Sequence, residues 1–452
     1  MPMPGADVVE PPREAVMTHT DALTGLGNRR RMREKVNNLA AERADDPAPF
    51  TIGLANLDGF KPINDLFGHG AGDVILSQVA HRLKACMPDG ATVVRLGNDE
   101  FGFVLPLVFD SRGAENMARL IKDVLSAPFD LGSRTVRLSA SFGFSVYPFA
   151  GSDFAGLMSC AETALYRSKR RGRSQITVYS KEIAEEFRRA TELEQALRRA
   201  IIADEVAVHF QPIVRLEDGK IVGFEALARW HDGELGFVPP NVFVTLAEER
   251  GFIDLLTEVL LKKAAATALK WPEEMYLSFN LSSAQLVDPM TSLSILAILS
   301  RAGLDPRRLE LEITETAMMT DPDMAQKIIG ELRAVGIRVA LDDFGTGQSS
   351  LGRLRDFAFD KVKIDRAFVS EITRDRPSEH IIKAILAMCE GLDLNVIAEG
   401  IEEVEQAAKL IQFGCRLGQG YLYGKPMTAS DTLRLTASAR AQRNRPAERL
   451  AV

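Results

Sequence analysis

The chain contains 452 residues, of which 46% are hydrophobic and 26% are charged, and its net charge is −7. This length predicts two or three domains, and the composition excludes a disordered or collagen-like chain. The negative charge argues against nonspecific binding of nucleic acid. The four cysteines stand far apart without CxxC spacing, so neither a disulfide framework nor a thiolate zinc site is predicted, and a reducing cytoplasm fits best.

The first 19 residues are polar and lack a basic region followed by an apolar stretch, so they predict a disordered tail. No apolar run in the chain approaches the ~20 residues that cross a bilayer, and no membrane insertion is expected.

Residues 20–180 alternate strand-like and helix-like segments. Strands are predicted at 51–58, 92–97, 101–107 and 135–147, and helices at 73–86, 113–127 and 153–171. The tight turn Gly97-Asn98-Asp99-Glu100 joins the second strand to the third, because Gly and Asn accept positive φ at little steric cost. This pattern predicts an α+β domain. Residues 181–203 are charged and periodic without Gly or Pro, and they predict a helical linker.

The second block, residues 190–435, has eight strand-like segments separated by helix-length intervals, followed by a C-terminal tail at 436–452. The strands are predicted at 206–211, 222–227, 276–280, 309–315, 338–343, 361–365, 395–400 and 416–420. Each ends in or near a polar residue: Gln211, Glu225, Asn280, Glu312, Asp342, Asp343, Lys363, Glu399 and Gln419. A TIM-type (β/α)8 barrel has this spacing and brings such residues together at the C-terminal mouth of its strands.

Several carboxylates in one barrel mouth repel one another unless a cation neutralises them. Oxygen donors without cysteine or clustered histidine favour Mg²⁺ or Mn²⁺ over zinc. Two such ions activate a water molecule and stabilise charge at a phosphorus centre, as in many phosphodiester hydrolases. The block therefore predicts metal-dependent phosphodiester hydrolysis, with Lys363 orienting the water or neutralising the phosphate.

The phrases FEALARW, SFNLSS, LEITE, LDDFGTGQSSL, KVKIDRAF, VIAEGIEE and QGYLYGKP resemble the EAL family of cyclic di-GMP phosphodiesterases over about residues 190–435. The resemblance implies an enzyme that holds two Mg²⁺ or Mn²⁺ ions per site and acts as a homodimer. It implies that the metal ligands are Glu225, Asn280, Glu312 and Asp342, with Asp343 beside them and Glu399 completing the shell.

The same resemblance assigns roles to residues around the metal ligands. Lys363 and Gln419 are expected to position water or phosphate, and Gln211 and Arg229 to contact the dinucleotide. Glu315 is expected to brace the loop 345–350, in which Gln348 replaces the aromatic residue usual in the family.

The phrases DALTGLGNR, FKPINDLFGHGAGD, RLGNDEF, SFGFSVYP and ALYRSKRRGR resemble the GGDEF diguanylate cyclases, which have a palm-like α+β fold, over about residues 20–180. By this resemblance Asn64 and Asp73 contact guanine, whereas Lys61, Lys169 and Arg173 hold the triphosphate of GTP. Asp99 is the expected metal ligand.

Two departures argue against cyclase chemistry in the first block. Asn98 replaces a glycine of the signature turn, and Asn56 replaces a metal-binding aspartate, although Asp58 lies on the same strand face. An amide is a poorer Mg²⁺ ligand than a carboxylate. We therefore expect a phosphodiesterase whose GGDEF domain binds GTP as an allosteric ligand. A bifunctional cyclase and phosphodiesterase, and a silent receptor of cyclic di-GMP or GTP that signals to a regulatory protein, are the alternatives.

Overall fold

The computed structural model describes residues 19–42, 48–132, 134–315, 318, 321–344 and 357–443. The chain divides into two compact units, Met1–Thr191 and Glu192–Val452. The expected tail at 1–19, except His19, and the loop 345–350 with Gln348 lie outside the described residues. None of the helices in the described part of the chain combines the length and apolar composition that a bilayer crossing requires.

The first unit is built on a five-stranded sheet of order β2-β3-β1-β6-β7. Its elements in chain order are α1 Arg29–Glu42, β1 Phe50–Asp58, α2 Phe60–Phe67, α3 His69–Cys86, β2 Thr92–Gly97, β3 Glu100–Leu105, α4 Ser111–Ser126, β4 Phe129–Asp130, β5 Thr135–Val136, β6 Ser139–Tyr147, α5 Phe154–Arg170 and β7 Ile176–Val178. The expected strand at 135–147 is interrupted, and its first two residues pair with β4 instead.

Strand β1 lies at the centre of the sheet, antiparallel to both β3 and β6. Eight of its nine residues are buried, because helices cover both faces of the sheet. Residues of α3 and α4 pack with one face in one core cluster, and residues of α1 and α5 pack with the other face in a second. The near-continuous apolar sequence of β1 follows from burial on two sides.

Helix α5 begins at an aspartate cap. The side chain of Asp153 accepts a hydrogen bond of 2.7 Å from the Gly156 amide, which satisfies one of the unpaired donors at a helix start. We expect Asp153→Ala to cost about 1 kcal/mol of local stability, so that amide exchange at 154–160 accelerates about fivefold. Hydrogen exchange with mass spectrometry measures this. The exposed Asp123, inside α4, is the control, and equal exchange in both alanine variants would contradict the prediction.

The linker helix and the described elements of the second unit follow along the chain. The elements are α6 Lys181–Ile202, β8 Ala207–Arg215, β9 Ile221–Asp232, β10 Gly236–Val238, α7 Pro240–Glu249, α8 Ile253–Ala268, β11 Tyr276–Asn280, α9 Thr291–Ala302, β12 Leu309–Thr314, α10 Pro322–Ala334, β13 Arg338–Phe344, β14 Lys361–Ile364, α11 Arg366–Glu371, α12 Arg376–Gly391, β15 Asn395–Ala398, α13 Val404–Gln412, β16 Leu417–Gln419 and α14 Ala429–Arg443. The segment expected as a tail from residue 436 thus begins as helix, as far as Arg443.

Strands β8, β9 and β11 to β16 close into the expected eight-stranded barrel, since β9 pairs with β8 as well as with β11. Strand β8 is antiparallel to both of its neighbours, β9 and β16. The expected (β/α)8 barrel thus contains one antiparallel strand, whereas the strands of a typical barrel of this kind are all parallel. Only five residues, 216–220, separate β8 from β9, and a connection this short forms a hairpin, whereas a parallel pair needs a crossover of a dozen or more residues.

The barrel interior holds two polar clusters and a small apolar one. Ile213, Tyr276 and Ile397 form a small cluster of their own. At one end Lys361 Nζ lies 2.7 Å from Glu310 Oε2 and 2.9 Å from the Tyr276 hydroxyl, and all three side chains are buried. The other end holds the candidate site.

Candidate active site

Alternate residues of neighbouring strands point into the barrel and build the site. Glu312 follows Glu310 by two positions on β12, and Lys363 follows Lys361 by two positions on β14, so each pair shares one face of its strand. Strand β13 lies between β12 and β14, and its inward residue at this level is Ala340. Ala340 is paired in register with Glu312 on one side and with Lys361 on the other, and Glu312 and Lys363 meet across this strand.

Lys363 is the centre of the site and is 1% exposed. Its ammonium lies 2.6 Å from Glu312 Oε2, 2.6 Å from Glu399 Oε1, 3.2 Å from Asp342 Oδ1 and 3.9 Å from Glu225 Oε1. One positive charge therefore faces four carboxylates from four different strands or strand ends. Burial without these partners would be costly for all five groups.

Glu225 is held by amides as well as by the charge of Lys363. Asn280 Nδ2 donates to Glu225 Oε1 at 2.8 Å, and Gln419 Nε2 donates to Glu225 Oε2 at 2.6 Å. Gln419 Nε2 also lies 3.1 Å from Gln211 Oε1, while Gln211 Nε2 donates to the Gly424 carbonyl. Because β8 is antiparallel, Gln211 reaches this network from the middle of its strand, directly beside Glu225.

The carboxyl groups differ in the pKa that the site imposes. Burial opposes ionisation of Glu225, but Lys363 and the amides of Gln419 and Asn280 lower its pKa. Burial, joined by the charge of Glu225, raises the pKa of Glu312 well above its ordinary value. Burial raises the pKa of Glu399 to about 7 against the opposing charge of Lys363. The raised pKa values of Glu312 and Glu399 indicate that the site holds more negative charge than the one ammonium group of Lys363 neutralises.

Burial disfavours the charged form of Lys363, yet the carboxylates of Glu225, Glu312 and Glu399 raise its pKa well above the ordinary value. Lys363 is therefore protonated at neutral pH, so it acts as a hydrogen-bond donor and a positive charge.

Strand β13 ends in a bulge, and two adjacent aspartates there point in different directions. The register shifts between Leu341 and Phe344, and Asp343 has φ 53. Asp342 faces Lys363, whereas Asp343 is exposed and donates its amide to Asp342 Oδ1 at 3.0 Å. The residue as a whole is exposed, but partial burial of its carboxyl group, together with the charge of Asp342, raises the pKa of Asp343.

Two further predicted residues lie at the edge of this cluster. Arg229 follows Glu225 by four positions on β9 and donates to the carbonyl of Ala228 at 2.8 Å. Glu315 follows the end of β12, but the loop that it was expected to brace lies outside the described residues.

The donor set fits a hard divalent cation. It consists of carboxylate and amide oxygens without thiolate or imidazole, and it carries excess negative charge. Among the described residues, no three acidic, histidine or cysteine side chains form a ready cage for an ion, because their oxygens converge on the ammonium of Lys363.

In the first unit, the predicted guanine contact Asn64 lies against Gly72, the residue that precedes the other predicted contact, Asp73. A Cβ on Gly72 would collide with Asn64 Oδ1, so only glycine allows α3 to approach Asn64 directly before Asp73. Asn64 Oδ1 is buried and has no hydrogen-bond donor among the described residues. An orphaned buried acceptor is costly, and the N–H groups of a guanine edge are suitable partners for it.

The residues of the first unit that are expected to hold the phosphates of GTP make fewer contacts with one another. Lys169, near the end of α5, lines a cavity of about 210 Å³ together with Glu100 of the signature turn. Arg173 has φ 57 and is exposed, as is Lys61 on α2. No hydrogen bond or ion pair within the described residues joins the side chains of Lys61, Asp99 and Arg173 to the other predicted GTP contacts.

The departures from the GGDEF pattern have structural partners of their own. Asn56 Nδ2 donates to Glu100 Oε1 at 3.5 Å. Both oxygens of Asp58 are engaged: they accept from the Ser139 and Ser141 hydroxyls at 2.8 Å and from the Ser174 amide at 3.0 Å. These contacts argue against the idea that Asp58 substitutes for Asn56 as a metal ligand.

Asn98 occupies its turn with φ 34, and its carbonyl accepts from Arg95 at 2.8 Å. Asparagine tolerates this left-handed backbone, so the hairpin forms without the glycine.

Sequence reasoning missed several polar partners in the barrel. Ser278 donates to Glu312 Oε1 at 2.6 Å and thereby orients that carboxylate. Glu310, Lys361 and Tyr276 form the buried cluster at the other end. The sequences LELE and KVK, with like charges two residues apart in a strand, are the signal that could have revealed Glu310 and Lys361 as inward-facing.

Comparison with known proteins matches both units to families. Residues 194–426 match the EAL domain, and residues 18–175 match the "Diguanylate cyclase, GGDEF domain". The chain is 34% identical to the bifunctional diguanylate cyclase/cyclic di-GMP phosphodiesterase MucR of Pseudomonas aeruginosa, over 91% of this chain and 61% of MucR. It is 33% identical to the cyclic di-GMP phosphodiesterase PdeR of Escherichia coli, over 94% of this chain and 65% of PdeR. The chain thus spans less than two thirds of each of these relatives.

Among solved structures, the chain resembles that described as "PaMucR Phosphodiesterase, c-di-GMP complex". The two are 35% identical, with a TM-score of 0.51, and the match covers 53% of this chain and 99% of the other. The EAL match covers more than half of the chain, and the fold described above agrees with it. The chain therefore belongs to the EAL domain family and carries this domain in tandem behind a GGDEF domain.

Proposed function

We propose that the second unit hydrolyses cyclic di-GMP to linear pGpG. The observation that carries this proposal is the buried cluster of four carboxylates around Lys363, with Asn280 and Gln419 bound to Glu225. It occurs in a barrel 35% identical to a phosphodiesterase whose structure holds cyclic di-GMP. The names of MucR and PdeR support the same activity.

In the proposed reaction a water oxygen attacks phosphorus and the bond from phosphorus to the 3′-oxygen breaks. The water loses a proton, the departing 3′-oxygen gains one, and the new end of the chain keeps its 5′-phosphate. The residues that would hold Mg²⁺ or Mn²⁺ are Glu225, Asn280, Glu312, Asp342, Asp343 and Glu399. Two such ions would supply an activated water and neutralise developing charge.

The chain's own groups bind and orient the substrate. Lys363 is hydrogen-bonded to the acidic cluster, so its ammonium can donate to a phosphate oxygen or to the attacking water. Gln419 and Gln211 form the neutral side of the mouth next to Glu225, and Arg229 would contact the dinucleotide. A mouth with one neutral and one acidic side orients a phosphodiester for attack from a single direction.

The direct test is incubation of the purified chain with cyclic di-GMP and Mg²⁺ or Mn²⁺, with product identification by chromatography. We expect pGpG with either ion and none with EDTA. Unchanged cyclic di-GMP in a folded sample that binds the dinucleotide would favour the receptor alternative and contradict the proposal.

We propose that the first unit binds GTP and regulates the barrel, and that it is a poor cyclase. The buried Asn64 Oδ1 without a donor among the described residues supports guanine binding, with Asp73 as the second guanine contact and Lys61, Lys169 and Arg173 at the phosphates. Asn56 in place of a carboxylate, and an Asp58 whose oxygens already have partners, argue against the metal chemistry of synthesis, which leaves Asp99 as its remaining ligand. The bifunctional name of MucR favours the alternative that the unit also makes cyclic di-GMP.

One experiment separates these alternatives. In a Glu225→Ala background, which cannot destroy cyclic di-GMP, we expect GTP binding by calorimetry and no detectable synthesis. Asp73→Ala should weaken GTP binding, because it removes a guanine contact, while the exposed Asp123→Ala should not. In the native chain GTP should change hydrolysis by a coupling of about 1–3 kcal/mol. Robust synthesis of cyclic di-GMP from GTP would instead establish that the protein is a bifunctional cyclase and phosphodiesterase.

The expected homodimer and the expected regulatory protein partner stay predictions. Light scattering at the concentration of the activity assay tests the first. Full turnover by a monomer would contradict it.

A further inference from the structure

A second cavity in the first unit is separate from the predicted guanine contacts. It has a volume of about 190 Å³ and lies between the C-terminal half of α5 and the first half of α6. Tyr166, Arg167, Arg170 and Arg171 line it from the α5 side, and Glu186 and Phe187 line it from α6. Neither Asn64 nor Asp73 belongs to its lining.

The lining of this cavity is positively charged. Three guanidinium groups face one carboxylate, and that carboxylate, Glu186, lies 2.8 Å from Arg167. The Nε of Arg167 is nevertheless buried without a hydrogen-bond acceptor in the described part of the chain. The cavity therefore combines an excess of positive charge with an unsatisfied donor, and both features favour an anion with oxygen acceptors.

The remaining wall of the cavity is aromatic. The rings of Tyr166 and Phe187 meet edge to face with centroids 5.5 Å apart. Phe187 is 38% exposed, although it is a large apolar side chain. Aromatic rings beside guanidinium groups are the two surfaces that proteins use to hold a base by stacking and its phosphate by charge.

Basic residues at the end of a helix are common, because they interact favourably with the helix dipole. That explanation accounts for the presence of Arg170 and Arg171 near the helix end. It does not account for a cavity, a partly exposed phenylalanine and an orphaned Arg167 donor at the same place. Lysine would also serve the dipole, whereas arginine offers the planar fork that matches phosphate.

We propose that this cavity is a second nucleotide site, which binds a purine nucleoside monophosphate. The guanidinium groups hold the phosphate, and Tyr166 and Phe187 hold the base. The site is built partly from α5, which carries Lys169, and partly from α6, which continues to Ile202. Its ligand is thus in contact with the helix that joins the two units in sequence.

Calorimetry on the full chain in EDTA tests the proposal with GMP, AMP and inorganic phosphate as probes. We expect GMP to bind, and its affinity to fall at least tenfold in Arg171→Glu and in Phe187→Ala. Both positions are exposed, so these variants should fold, which circular dichroism verifies. Arg189→Glu is the matched control, since Arg189 lies on α6 with its side chain 74% exposed and outside the cavity. It should change the affinity less than twofold.

Asp73→Ala distinguishes this site from the predicted GTP site. It should weaken GTP binding and leave GMP binding intact. AMP bound within tenfold of GMP would support recognition through stacking. Absence of GMP binding, or equal GMP affinity in Arg171→Glu, Phe187→Ala and the native chain, would overturn the proposal. Inorganic phosphate bound as tightly as GMP would overturn the role of the aromatic wall.

Discussion

Replacement of Glu225 by glutamine should abolish hydrolysis of cyclic di-GMP while the barrel stays folded. Glutamine keeps the shape of the side chain but removes the charge that Lys363 faces at 3.9 Å. It also turns one of the two acceptor atoms for Asn280 and Gln419 into a donor. Loss of an outer-shell group costs a metal site about 10- to 100-fold, and loss of a proposed ligand should cost more.

The measurement is the rate of pGpG formation at saturating Mg²⁺, with the melting profile recorded alongside. Glu258→Gln is the matched control, because Glu258 is an exposed glutamate of the same unit, 3.2 Å from Arg301. We expect native turnover in the control. Native turnover in folded Glu225→Gln would show that the cluster around Lys363 is not the catalytic centre.

Replacement of two buried lysines on one strand should have two different effects on activity. Lys361 and Lys363 are two residues apart on β14 and point into the barrel at different levels. Lys361 pairs with Glu310 and Tyr276, and Lys363 with the four carboxylates of the mouth. Removal of one partner of a buried ion pair typically costs 3–5 kcal/mol, so methionine at either position should lower the free energy of unfolding by about this amount.

The two variants should differ in activity. Lys361→Met should keep native turnover per folded molecule, whereas Lys363→Met should have none. Urea denaturation and assays at low temperature, normalised to the folded fraction, measure both quantities. The double variant Glu310→Met with Lys361→Met should regain part of the stability, because the charge that loses its partner is then that of Arg338, 3.7 Å from Glu310, and its side chain is 39% exposed. We assign a structural role to Lys361 and a role in hydrolysis to Lys363. A folded Lys361→Met variant without activity, or a Lys363→Met variant with activity, would contradict this assignment.

The sequence by itself determined the barrel strands and the family. The eight barrel strands are confirmed, because apolar residues at period 2 and polar strand ends are local features of the chain. The tandem GGDEF and EAL domains are confirmed by both family matches. Glu225, Glu312, Lys363 and Glu399 were also identified as neighbours from sequence, since the strands of a closed barrel present their ends at one mouth.

Tertiary structure alone decided which groups pair and in what direction one strand runs. Glu310 meets Lys361 and Glu312 meets Lys363 across β13, whose register sets Ala340 beside Glu312 on one side and Lys361 on the other. Asp58 acquires Ser139, Ser141 and Ser174 as partners from segments more than 80 residues away. Such contacts depend on strand register and long-range packing, which no local sequence pattern contains. For the same reason, the positions of the eight strand segments did not reveal that β8 is antiparallel. The physical cause of this direction is the short connection between β8 and β9.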